Sequence, residues 1–400
     1  MKSVLDSLND KEKWISFLSF LEDRKQFKTK EINAIKDIIY SNSFKEMNLQ
    51  WLFNLIDATT LEYCEIPKHN SNKNRIVFKT TGILDILLKF ITFLLRDYDN
   101  LFSESLYSYR NTVSVKKAIY KLNDFVLTNN YQIFKFDISS YFLSMNKEIL
   151  ISKIEKLFMC DKEFVNFNIK LLNMKNNKNI KSGGLPGLAI SSFYAKIYLN
   201  DLDLLLSKKY SLYIRYSDDI LICNKSEIDI KEITDCLKSL KLELNTEKTE
   251  IIKDNSNFDY LGFTFKNKQI DLSELAFKKI KHKIKRSSNK IKYKISHNDF
   301  DKDNGLKYFI DIYNKKFFSS SFGEICWALW YFPIITTDKT LKMIDAYFQN
   351  ECRSIITGKY NKMNIKKVPY SFLKEKGYRT LVNEYYLNKD LKNPLIPDSF

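Results

Sequence analysis

Apolar residues along the chain switch between a period of two and a helical period, and the switches set out its plan. Residues 131–136 (YQIFKF) form a strand-like run of aromatic and β-branched residues. Two further short apolar runs, 212–215 and 220–223, flank Tyr216-Ser217-Asp218-Asp219. Together they predict a β-hairpin with two adjacent aspartates at its tip. A second hairpin is expected over 258–265. Helical spacing marks residues 1 to about 62, with Trp14, Phe17, Phe20 and Leu21 on one face. It also marks 82–95, 189 to about 206, and 277–295, where Ile280, Ile284, Ile291 and Ile295 form a stripe. The polar, acidic stretch 296–304 reads as a boundary, and the aromatic remainder to residue 400 reads as mostly helical. The longest apolar stretch, 82–95, carries Asp85 and Lys89 and is too short to span a membrane.

Chemistry enters with the carboxylates. The 131–136 run ends in Asp137, followed by Ile138. If this strand pairs with the hairpin, Asp137 meets Asp218 and Asp219. Adjacent carboxylates repel, and a divalent cation is the usual remedy. Two metal ions roughly 3.5–4 Å apart, the arrangement of many phosphoryl-transfer sites, need carboxylates from more than one element. A solvated acidic turn for the tetrapeptide and a helix N-cap for Asp137 are the plain alternatives. Between these elements lies Ser182-Gly183-Gly184-Leu185-Pro186-Gly187, which holds three of the chain's nine glycines. Glycine allows close approach to a ligand or base pair, and a loop feeding a helix can hold phosphate. An ordinary loop before a helix is the alternative.

The order of parts then carries the argument: strand with Asp, Gly-rich loop with helix, Tyr-x-Asp-Asp hairpin, lysine segment 241–249, and Tyr260-Leu261-Gly262 hairpin. In this order the chain resembles the reverse transcriptase family over roughly residues 66–265. The resemblance implies an α+β right-hand polymerase with helical fingers, a ferredoxin-like antiparallel palm sheet, a helical thumb and a helical C-terminal region. Its expected divisions are an N-terminal helical region (1–65), fingers (66–130) and palm (131–266, with a fingers-like insertion at about 150–182). A basic thumb helix (267–300) and a C-terminal region (301–400) follow. Asp137 and Asp218 are implied to hold two Mg²⁺ ions, with Mn²⁺ as the alternative ion. Asp219 supports them and Ile138 offers its backbone carbonyl. Lys248 is implied as general acid for pyrophosphate departure. Arg75, Phe142, Pro186 and Gly187 are implied at the dNTP, with Phe142 a steric gate against a 2′-hydroxyl. Lys68, Arg110, Tyr260, Leu261, Gly262, Lys281, Lys285 and Arg286 are implied at nucleic acid.

Two departures stand out. Pro186 replaces a glutamine usual in the family's Gly-rich motif, and Lys79 lies near a usual proline. No protease, ribonuclease H or integrase segment is recognisable. The chain is most similar to short bacterial stand-alone enzymes of the abortive-infection and unknown-group defence types, with retron enzymes, whose Val-Thr-Gly motif is missing here, the nearest rival. The expected activity is RNA-directed DNA synthesis in antiphage defence. A non-coding RNA template, a DNA product and dNTPs are the partners, with no membrane involved and an oligomer left open. Template-independent or protein-primed synthesis and an inactive RNA-binding scaffold are the alternatives.

Charge fits polyanion binding, with a net +17 and a pI near 9.2. Residues 277–294 alone hold nine Lys and Arg and no acid. A helix there would track phosphates and bind in a salt-dependent way. Six cysteines without a Cys-x-x-Cys pair, and three histidines, disfavour zinc or disulfides. No signal peptide is visible, and the chemistry suits a reducing cytoplasm.

Overall fold

The aromatic and β-branched runs pair into antiparallel sheets, and the striped segments between them coil into helices. The computed structural model describes residues 3–24, 29–67, 74–110, 114–253, 256–318 and 327–389. Its contacts divide the chain into two units, Met1–Lys253 and Asp254–Pro397.

The first unit opens with α1 (Lys11–Arg24), α2 (Thr29–Tyr40) and α3 (Leu49–Ala58). The hairpin of β1 (Glu62–Pro67) and β2 (Asn74–Lys79) follows, then α4 (Gly82–Leu94). Trp14, Phe17 and Leu21 are buried on one face of α1, as the stripe predicts, and Trp14 stacks on Phe90 of α4 at 3.9 Å between ring centroids. Next come α5 (Val115–Thr128), β3 (Gln132–Asp137), α6 (Tyr141–Ser144), α7 (Lys147–Leu157) and α8 (Lys162–Leu172). Asn146 and Asp161 cap α7 and α8 by accepting from the backbone of Ile149 and Phe164. The central α9 (Ser191–Lys209) buries Phe193, Tyr194, Ile197, Tyr198 and Leu199 on several sides, so it shows no single apolar face. It starts two residues later than the pattern predicts because 185–190 form a turn: Leu188 N donates to Leu185 O, and the Ser191 hydroxyl caps that same carbonyl.

The unit finishes with β4 (Leu212–Tyr216), β5 (Asp219–Asn224), α10 (Ile230–Ser239) and β6 (Glu250–Lys253). Strands β3 to β6 form one antiparallel sheet in the order β4-β5-β3-β6. With helices between β3 and β4 and between β5 and β6, this is the βαββαβ ferredoxin-like arrangement.

The second unit begins with a three-stranded meander, β7 (Phe258–Tyr260), β8 (Phe263–Lys266) and β9 (Gln269–Leu272). Ser273 then caps α11 (Glu274–Ser296), whose stripe Ile280, Ile284 and Ile291 is buried. Helices α12 (Lys302–Phe318), α13 (Trp327–Tyr331), α14 (Lys339–Thr357), α15 (Asn364–Lys367), α16 (Tyr370–Glu375) and α17 (Leu381–Lys389) complete it. The stretch 296–304, expected as a boundary, contains the 297–301 turn between α11 and α12 inside this unit. A Cβ at Gly305 would lie 2.8 Å from Ile295 Cδ1, so the two helices approach closely there. The fold class is α+β, as expected. Among the described residues no helix is long and apolar enough to cross a membrane.

Candidate active site

The hairpin forms as its pattern requires. Tyr216 pairs with Asp219, leaving Ser217 and Asp218 as a two-residue turn. Ser217 takes a left-handed conformation with φ 61°. On its other edge β5 pairs with β3, which sets Asp137 directly opposite Asp219. Ile138 N donates to Asp218 O at 3.3 Å, so β3 runs on past the turn itself. Sheet register thus brings the three expected aspartates to one end of the sheet. The segment 243–249 lies along the same end: Asn245 N donates to Asp137 O at 2.8 Å, and Ser139 N to Glu243 O at 2.9 Å. Its side chains reach the carboxylate, with Lys248 Nζ 2.7 Å and Asn245 Nδ2 3.2 Å from Asp137 Oδ2.

Charge here is only partly compensated. Burial, then the neighbouring Asp137 carboxylate, raises the pKa of Asp218. Burial of the Asp219 carboxyl within the site, then Asp218 and Asp137, pushes Asp219 up to about 6 although much of the residue remains exposed. Burial works against the charge of Lys248, but Asp137 and the other two aspartates outweigh it and raise its pKa. Three carboxylates against that ammonium leave a site that gains from a further cation. The donors are oxygens, which suits a hard divalent ion better than zinc. Among the described residues no group of three or more His, Cys, Asp or Glu side chains is placed so as to hold a metal ion.

The turn is braced from behind. Ser217 N donates to Ser108 Oγ at 2.8 Å, and the Ser217 hydroxyl is 2.7 Å from the Tyr109 hydroxyl. Ser217 O accepts from Arg215 Nη1 at 3.3 Å. Arg215 is fully buried and forms a two-pronged ion pair with Asp203 of α9. Burial favours the neutral guanidine, but the Asp203 carboxylate outweighs it and raises the Arg215 pKa. Sequence reasoning missed Ser108, Tyr109, Asp203 and Arg215. The one available signal was a charged residue inside an apolar strand, which must find a buried partner.

A sequence model described as "Reverse transcriptase (RNA-dependent DNA polymerase)" matches residues 66–265, half of the chain. This chain belongs to the reverse transcriptase family. Among solved structures, apo telomerase from Candida tropicalis truncated from its C-terminal domain is similar at TM-score 0.41 and 14% identity, covering 54% of this chain and 55% of that one. Telomerase from Candida albicans, in complex with a TWJ fragment of telomeric RNA, gives TM-score 0.41 and 14% identity over 85% of this chain and 64% of that one. Apo telomerase from Candida tropicalis gives 0.43 and 14% over 82% and 69%. The chain therefore spans less than two thirds of the first two. A comparison with curated proteins yields no match.

The Gly-rich loop of this reverse transcriptase chain serves its own backbone. A Cβ at Gly183 would fall 1.8 Å from Met145 O, and one at Gly184 2.7 Å from Phe142 O. Gly184 N donates to Phe142 O at 2.8 Å, which fixes the loop against the half-buried residue expected as a gate. Pro186 O accepts from Phe78 N at 2.6 Å, and Gly187 leaves no room for a side chain against Phe78. The close approach expected to a ligand or base pair is here an approach to the chain's own backbone, at Phe142 of α6, Met145 just after it and Phe78 of β2.

The remaining expected residues are distributed as follows. Arg75 is exposed on β2 opposite Ile66, and Lys68 lies outside the described residues. Arg110 Nη1 donates to Ser103 O at 2.7 Å. In the second unit, Leu261 (φ 47°) and Gly262 (φ 88°) form the left-handed β7–β8 turn, and Tyr260 is buried. Lys281 sits over the Tyr347 ring at 4.9 Å. Lys285 is engaged within the unit by Glu351 at 3.3 Å and by the Tyr360 hydroxyl. Arg286 lines an open groove of about 630 Å³ with His282, Asn289, Lys290, Tyr293 and Lys294.

Proposed function

We propose that this chain is an RNA-directed DNA polymerase that adds dNTPs at the site of Asp137, Asp218 and Asp219. The observation that supports it most is the register that sets Asp137 opposite Asp219, beside Asp218, with the Asp218 and Asp219 pKa values raised by burial and then by the neighbouring carboxylates. A pair of Mg²⁺ ions, or Mn²⁺ in their place, would be held by these three carboxylates and the Ile138 carbonyl. Such ions supply Lewis-acid stabilisation of the α-phosphate and the leaving pyrophosphate. The chain's own residues do the rest. Lys248 holds a proton within reach of the site and delivers it to the departing pyrophosphate. Phe142 narrows the space beside a sugar 2′-position and selects deoxynucleotides. Arg75 offers a planar fork to a triphosphate. Pro186 and Gly187 shape the nucleotide side of the loop.

Arg110, Lys68, the Tyr260–Leu261–Gly262 turn and Lys281, Lys285 and Arg286 contribute contacts to template and primer. The resemblance to short stand-alone bacterial enzymes supports a role in antiphage defence with an associated non-coding RNA in the cytoplasm. Purified protein, a primed RNA template, dNTPs and Mg²⁺ or Mn²⁺ test the reading. Extension by the wild type and none by Asp218→Asn with Asp219→Asn is the expected result. Equal extension by both refutes it. Sequencing of co-purifying nucleic acid from the same two proteins identifies the template.

A further inference from the structure

The Arg215–Asp203 pair lies behind the aspartate turn, and the polymerase reading makes no use of it. Both side chains are 0% exposed. Arg215 Nε donates to Asp203 Oδ1 at 2.7 Å and Nη2 to Oδ2 at 2.5 Å. Asp203 Oδ1 also accepts from the Tyr213 hydroxyl at 2.7 Å. This fork leaves Arg215 Nη1 free to reach two carbonyls, Ala195 O and Ser217 O, each at 3.3 Å. Ala195 O is itself fixed by the Tyr141 hydroxyl at 2.8 Å. Tyr141 opens α6, four residues beyond Asp137. One guanidinium therefore joins α9, the start of α6 and the turn.

A buried ion pair is a weak device for stability, because apolar residues of similar volume usually do as well. What the fork adds is direction: it orients a planar donor, and that donor grips the carbonyl immediately before Asp218. Ser217 needs such a grip, since a left-handed serine relaxes readily to other backbone conformations. We infer that Arg215, oriented by Asp203, is a positioning residue that holds Ser217 O and thereby aims the Asp218 carboxylate. This rests on the polymerase reading, because aim matters only if Asp218 acts on a reacting group.

The test uses the full chain carrying Asp203→Leu with Arg215→Met, which replaces the pair by apolar groups without leaving a lone charge. The expected melting temperature is within about 5 °C of wild type. kcat for primer extension falls roughly 10²-fold, as for an ångström-scale misplacement, while KM for dNTP stays within about twofold. Arg215→Lys is the companion: it keeps a positive charge for Asp203 but has no fork, and kcat falls roughly tenfold. A double variant that is folded at the assay temperature and keeps kcat within about threefold overturns the inference. If the double variant does not fold, Arg215→Lys alone decides by the same criterion. A wild type that extends no primer refutes the polymerase reading instead. Mn²⁺ binding to the protein then decides the positioning claim: roughly tenfold weaker binding in the variant supports it, and unchanged binding overturns it.

Discussion

Two groups of acids in this protein are handled in opposite ways. In the second unit, Asp345 of α14 accepts from the hydroxyls of Tyr313 and Tyr378 and from the backbone N–H groups of Leu381 and Val382. Nearly two turns further, Glu351 accepts from Tyr360 and from Lys285, with Lys292 at 3.8 Å. In the first unit, Asp137, Asp218 and Asp219 converge, with Lys248 bonded to Asp137. Helix α14 uses its acids to anchor neighbouring elements, and every oxygen has protein donors. The sheet end crowds three carboxylates together. Where donors surround a buried acid, the acid is architecture; where acids crowd one another at a sheet end, they are candidates for a ligand site.

The contrast breaks first at the largest effect. Asp137→Asn or Asp218→Asn should reduce primer extension by roughly 10³-fold or more, the loss of several kcal/mol of charge stabilisation. Asp218→Asn should melt no lower than wild type without metal, because it relieves burial and repulsion of that charge. Calorimetry beside a single-nucleotide incorporation assay checks both halves. Asp345→Ala should do the reverse. It strands two tyrosine hydroxyls and two backbone N–H groups, and should cost about 3–5 kcal/mol of stability in a denaturant titration. Residual activity per folded molecule should remain near wild type.

A pH series sharpens the point. Asp219 has a folded pKa of about 6, above the ordinary value near 4. The folded protein therefore holds that proton more tightly than the unfolded chain. The stabilising contribution is complete below about pH 4 and is lost as pH rises through 6. A divalent cation bound at this site would replace the lost proton above that range. The rise in melting temperature on adding Mg²⁺ should be larger at pH 7.5 than at pH 5, and Asp219→Asn should shrink the difference. The smallest effect belongs to the basic helix. Arg286→Ala should weaken RNA–DNA duplex binding uniformly across sequences and lower the slope of log K against log salt by about 1.

Much of this was legible in the chain. The hairpin, its tip and the strand ending in Asp137 are local patterns, and the order of motifs places them in one family. The α1 stripe and the Ile280–Ile284–Ile291 face buried themselves where the helical period says they should. What could not be read were meetings between distant segments. Nothing near Arg215 announces Asp203 as its partner, because Asp203 lies one helix earlier and looks like any surface acid of α9. The purpose of Gly183 and Gly184 depends on how close Met145 and Phe142 come, which is a matter of packing rather than composition. The polar run 296–304 looks like a linker but contains the turn of a helical hairpin, since Gly305 and Ile295 lock α11 and α12 together.

The central claim is that three aspartates, from the end of β3 and from the β4–β5 hairpin, form one undercompensated metal site. Mn²⁺ titration of the protein, followed by electron paramagnetic resonance, addresses it directly. The account predicts saturable binding in the wild type and in Asp345→Asn, and its loss in Asp137→Asn with Asp218→Asn. Saturable binding of equal strength in that double variant would contradict it.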